Sequence, residues 1–152
     1  MEDWGTRMSG ISIKRVSTVA GLAAAAVLAA APGAWANWSS HITSWTDGGT
    51  SRTWADESYS QIQFTGCTAQ YATTKQVVVQ MWDYDALSSN DYYGAKTFTN
   101  CFNGASYTSN GEWTGLPTEP DFYFETSKVG QGGSCCLLNV TSVYVDTTKA
   151  DS

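Results

Sequence analysis

The chain has 152 residues, with 14 acidic and 8 basic side chains and a formal net charge of −6. This length argues for one domain, and the acidic balance argues against a general nucleic-acid binder, which needs a basic footprint. His41 is the single histidine, so a histidine-rich metal site is excluded and any catalytic imidazole must be this one.

Lys14 and Arg15 precede an apolar, alanine-rich stretch from Val16 to Ala31, and Ala34-Trp35-Ala36 follows. A basic region, an apolar run and a small-x-small site make up a secretory signal peptide, so residues 1–36 are expected to be cleaved on export. The run is short and alanine-dominated for a transmembrane anchor. Glu2 and Asp3 sit badly in a basic leader, which favours Met8 as the start. The alanine richness suits a bacterial source of high GC content. After cleavage, Asn37–Ser152 would retain only Arg52, Lys75, Lys96, Lys128 and Lys149 as basic residues. Such an acidic surface favours solubility and discourages binding to anionic membranes, and the leader implies a secreted, extracellular protein.

Residues 37–56 set Trp38, Ile42, Trp45 and Trp54 among Ser, Thr, Gly and Asp. Two readings fit: a first strand with a loop, or an aromatic arm that docks on a partner by strand addition. From there alternation and β-branched or aromatic residues dominate. Strands are expected over Ser58–Thr65, Gln76–Tyr84 and Tyr93–Phe102. Turns are expected at Asn110-Gly111 and at Gly115-Leu116-Pro117. A short strand is expected over Asp121–Thr126, a loop over Gly130–Gly133 and a last strand over Cys136–Val145. The pattern predicts an all-β fold, a small antiparallel β-sandwich or barrel over residues 57–152.

Cys67, Cys101, Cys135 and Cys136 all follow the leader, so export predicts two disulfides. A bond between the adjacent Cys135 and Cys136 is geometrically disfavoured. Cys67 and Cys101 are therefore each expected to pair with one member of the doublet, with one bond in the core and one at a loop. Closing loops this long would stabilise by roughly 3–4 kcal/mol per bond. The absence of a CxxC pair argues against zinc. Phe64-Thr65-Gly66-Cys67 echoes Phe98-Thr99-Asn100-Cys101 at a spacing of 34 residues. The echo extends no further, which fits two strands ending alike better than a repeat.

Asp83, Asp85 and Asp91, with Ser88 between them, follow the strongest strand and could offer oxygens to calcium. The run Val77–Gly94, with its Trp82-Asp83-Tyr84-Asp85 and later Ser88 and Asp91, resembles the third calcium-binding loop of C2 domains. That resemblance implies a calcium-dependent module with Asp83, Asp85 and Asp91 as metal ligands and Ser88 auxiliary. It is local. No matching aspartate pair lies near Asp47 or Asp56, and the alternative is a hairpin closed by Asp, Ser and Asn.

No catalytic set emerges. His41 lies near the expected mature terminus, the cysteines are expected to be oxidised, and Asp83, Asp85, Glu112 and Asp121 form no recognisable pair. The surplus of aromatics points instead to a non-enzymatic binding or adaptor protein for an extracellular protein partner. A subunit of a secreted complex, such as an antibacterial toxin assembly, is one form of this. The expected contacts are Trp38, Ile42, Trp45 and Trp54, with Tyr92, Tyr93 and Trp113 beside turns; Tyr107 and Tyr123 lie in similar settings. The other readings are the calcium-dependent module, a glycan-binding domain, a protease inhibitor and a weak hydrolase using Asp83, Glu112 and His41. An exposed coplanar tryptophan pair would favour glycan, and a protruding arm or rigid exposed loop would favour protein.

Overall fold

A computed structural model describes residues 36–148. The expected leader therefore lies outside the described residues, apart from Ala36. The described chain is all-β with antiparallel pairing: β1 (Trp38–Trp45), β2 (Gly49–Thr50), β3 (Trp54–Gln70), β4 (Val77–Asp83), β5 (Tyr92–Phe98), β6 (Thr108–Ser127) and β7 (Leu137–Asp146). A 3-10 turn, Asn100–Asn103, is the one helical element among the described residues. Instead of two separate sheets, all seven strands belong to one, in the order β1-β7-β3-β6-β4-β5, with β2 added on β6.

Two long strands organise this sheet. β3 pairs with β6 from Trp54↔Phe122 to Thr65↔Thr108, and with β7 from Gln61↔Asp146 to Gln70↔Leu137. The far half of β6 carries β4, from Asp83↔Phe122 to Val78↔Ser127. Alternation is clearest on β4, where Val77, Val79 and Met81 are buried and Val78, Gln80 and Trp82 are half-buried. The two flanks of the sheet share one core. Phe64 of β3 meets Phe98 of β5 edge-on at 5.1 Å and Phe124 of β6 at 5.5 Å. Trp38 of β1 stacks on Phe124 with ring centroids 6.4 Å apart.

Residues 38–45 thus form a strand on β7 rather than a free arm, with Trp38 and Ile42 facing inward. The expected turns at Asn110-Gly111 and Gly115-Leu116-Pro117 are instead parts of β6. Gly111 pairs with Ile62, and a Cβ there would come within 3.0 Å of the Phe98 and Trp113 rings, so its role is close packing. The second segment lies opposite Ser58, where the β3–β6 register shifts. That is a bulge, which bends a strand without ending it.

The register also corrects the disulfides. Cys67 bonds Cys101, and Cys135 bonds Cys136. Cys67 lies opposite Val140, four positions along β7 from Cys136. At the strand rise that is roughly 13 Å, beyond the Cα separation a disulfide spans. The two echoing segments meet each other instead, Phe64 on Phe98 and Cys67 on Cys101, with Cα atoms 5.0 Å apart. One bond is in the core and the other at a loop, with Cys136 buried and Cys135 exposed.

The two bonds differ in what they close. Cys67–Cys101 closes a 34-residue separation, whereas Cys135–Cys136 joins neighbours. The Cys67→Ala/Cys101→Ala double variant should lose about 4 kcal/mol in urea unfolding. The Cys135→Ala/Cys136→Ala variant should lose about 1 kcal/mol or less, because no long loop is released from the denatured chain. Equal losses would contradict this assignment.

Candidate partner-binding site

The connection from β4 to β5 is held by its own polar side chains. Asp83, buried at the end of β4, accepts hydrogen bonds from the Asp91 backbone N–H at 2.7 Å and the Tyr93 hydroxyl at 3.3 Å. The Asp83 N–H in turn donates to the Asp91 carbonyl at 3.1 Å. Further out, Asp85 accepts from the N–H groups of Leu87 at 2.7 Å and Ser88 at 3.2 Å, and from the Ser88 hydroxyl. Asn90 accepts from the Asp85 N–H at 3.1 Å and donates to the Tyr123 hydroxyl at 3.0 Å. The Tyr84 N–H donates to the Asp121 carbonyl at 2.9 Å, which ties the loop to β6. Asp, Ser and Asn suit this work because short polar side chains can replace backbone partners in a turn.

At the tip of this braced loop Leu87 is 98% exposed. Tyr84 and Tyr92 flank it and are about half exposed, at 56% and 50%. Tyr92 in turn packs on Trp82 with ring centroids 4.8 Å apart. Burying one leucine against a partner is worth about 1.5–3 kcal/mol, and a pre-ordered loop loses little entropy on binding.

The electrostatics follow from the same bonds. The Ser88 hydroxyl and then the Leu87 N–H hold the Asp85 carboxyl below its ordinary pKa. This contribution to loop order is present above the ordinary carboxylate pKa and is lost as pH falls through the lowered value. Burial, followed by the charge and hydrogen bond of Asp83, pushes the Tyr93 phenol up to about 12.

The three aspartates do not assemble a cation site. Asp83 turns its carboxylate onto the ladder and Tyr93, and Asp85 turns its own onto Leu87 and Ser88. Among the described residues no three His, Cys, Asp or Glu side chains converge on a point that could hold a metal ion. Of the expected calcium set, Asp83 and Asp85 are engaged by donors of the loop itself. The hydrolase candidates lie on separate elements. His41 is exposed on β1, Glu112 on β6 accepts from Gln61 at 3.0 Å, and Asp83 closes the loop.

Of the expected contact residues, Trp38, Ile42, Trp54 and Trp113 are buried side chains of the core. Alternation across a sheet with one apolar face turned them inward. Trp45 and Tyr93 are half-buried, whereas Tyr92 is exposed. Sequence reasoning missed Tyr84 and Leu87. The available signal was an apolar Leu87 inside the polar run Asp85–Asp91.

Comparison with protein-family models, curated proteins and solved structures finds no match to this chain, so its function rests on the geometry of the site.

The Asp83–Tyr93 bond is measurable. In a spectrophotometric titration one tyrosine should ionise near 12. The contribution of Tyr93 to stability is held below the ordinary tyrosine pKa and lost as pH rises through the raised value. Asp83→Asn should bring that ionisation part of the way down, since burial remains and the charge does not. An unchanged titration would contradict the pairing.

Proposed function

We propose that this chain is a secreted, non-enzymatic binding protein that captures an extracellular protein partner through the β4–β5 loop. Leu87 carries the reading: it is an almost fully exposed leucine on a loop braced by Asp83, Asp85 and Asn90. Tyr84 and Tyr92 are exposed beside it, so the loop presents an apolar cluster rather than a lone leucine, and tyrosine is among the side chains enriched in interface hot spots. No tryptophan among the described residues is exposed, which leaves no flat indole pair for a glycan to stack on. Two disulfides suit an oxidising, extracellular compartment, and no helix among the described residues is long and apolar enough to cross a membrane. We read the packing as a small antiparallel sandwich or barrel serving as a rigid base for the loop. The role is that of an adaptor subunit in a secreted complex, of which an antibacterial toxin assembly is one kind.

The test is affinity capture with C-terminally tagged protein from native culture supernatant. Wild type should recover one secreted protein in stoichiometric amount. Leu87→Asp should recover at least about tenfold less, with an unchanged melting temperature, since the side chain supports no core contact. Undiminished capture by Leu87→Asp, or recovery of the protein alone, would overturn the reading.

A further inference from the structure

The sheet is open at β5, at one end of the strand order, and around β1 and β2 at the other. β1 ends the strand order and β2 pairs only with β6, so each keeps one edge without a strand partner. A tight connection joins them, with the Gly49 N–H donating to the Thr46 carbonyl at 3.3 Å, yet β1 leaves toward β7 and β2 toward β6. Between them lies a pocket of about 170 Å³, the scale of a single large side chain.

The walls of the pocket combine two chemistries. Trp38, Trp45 and Phe124 make it apolar and aromatic, and His41 and Arg52 are its ionisable residues. No Asp or Glu lines it, in a chain of net charge −6. The Arg52 guanidinium lies 5.1 Å over the Trp38 ring and meets no carboxylate among the described residues. Its Nε reaches only the Thr53 carbonyl, at 3.5 Å. Trp38 is 8% exposed, and its indole N–H has no acceptor. Unpaired buried donors are uncommon, and this one belongs to a residue of the pocket wall.

We propose that this pocket binds the C-terminal residue of a partner polypeptide, with its apolar side chain against Trp38, Trp45 and Phe124 and its carboxylate on Arg52. A chain end suits a pocket of this size because it puts an apolar group and a carboxylate on one residue. Planar, charge-assisted pairing with carboxylate is what an exposed guanidinium does best. Thr50 and Ser51 also line a second recess with Tyr84 and Tyr123, so two residues of this pocket's wall also face the base of the β4–β5 loop. The inference rests on the reading that the partner is a protein, and it assigns a second point of contact.

The probe is N-acetyl-phenylalanine, with N-acetyl-phenylalaninamide as the control that lacks the charge. In a titration of the isotope-labelled protein followed by NMR, the acid should shift the Trp38 indole and Arg52 side-chain signals at millimolar concentration, and the amide should not. Arg52→Gln should weaken the acid by about tenfold with the fold intact. Leu87→Asp should bind the probe like wild type, which separates failure of this site from failure of the loop. Equal response to acid and amide, wild-type affinity in Arg52→Gln, or no shift at either residue would overturn the proposal.

Discussion

The pairing of β3 with β6 is the constraint on which the rest of the molecule depends. β7 lies on the far half of β3 and carries β1, while the far half of β6 carries β4, then β5, and also β2. Both strands are longer than one neighbour requires, and each passes from one partner to the next along its length. A one-residue slip in this ladder would turn the inward side chains of one strand to water while those of the other stayed inside. Phe64, Phe98 and Phe124, which draw β3, β5 and β6 into one core, would then have no common meeting point.

Where the chain must change face, it does so on two strands together. Ile62 and Phe64 face inward on β3, but so do Cys67 and Ala69, which have the opposite parity. β7 switches at the matching place, with Leu138 and Val140 inward before it and Val143 and Val145 after it. The register between the strands runs through the switch without a shift. Gly66 stands there with φ +66°, and a Cβ would lie 2.8 Å from the Thr141 hydroxyl, which donates to the Gly66 carbonyl. This switch aims Cys67 at Cys101 and pins the 3-10 turn to the core. Its cause is local, although its consequence is the position of a whole connecting segment.

The strand content was legible because alternation is a local signal. Val77–Asp83 could be read almost to the residue, and the all-β class followed from it and its neighbours. Strand lengths and cysteine pairing were less legible, since both depend on register, which no single segment carries. Asn110-Gly111 has the composition of a hairpin turn but sits inside β6, because the rings of Phe98 and Trp113 need space that only glycine leaves. The aromatics were misread for the same reason: Trp38, Trp54 and Trp113 looked like surplus surface until a shared core absorbed them. The loop after β4 did stand out in sequence, although its carboxylates pointed to a cation. The hydrogen bonds of the Asp83 and Asp85 carboxylates order the turn and leave Leu87 outside it.

What emerges is a division of labour within one sheet. The β3–β6 ladder and the Cys67–Cys101 bond supply a fixed base, and the short polar side chains between β4 and β5 extend that order to an exposed apolar tip. Photo-crosslinking tests the central claim most directly, with p-benzoylphenylalanine placed at residue 87 and, for comparison, at residue 107. Tyr107 is half exposed and immediately precedes β6, on the other connection leaving β5. Irradiation in native culture supernatant should give one dominant crosslinked secreted protein from position 87 and none from position 107. No crosslink from position 87, or the same products from both positions, would contradict the account.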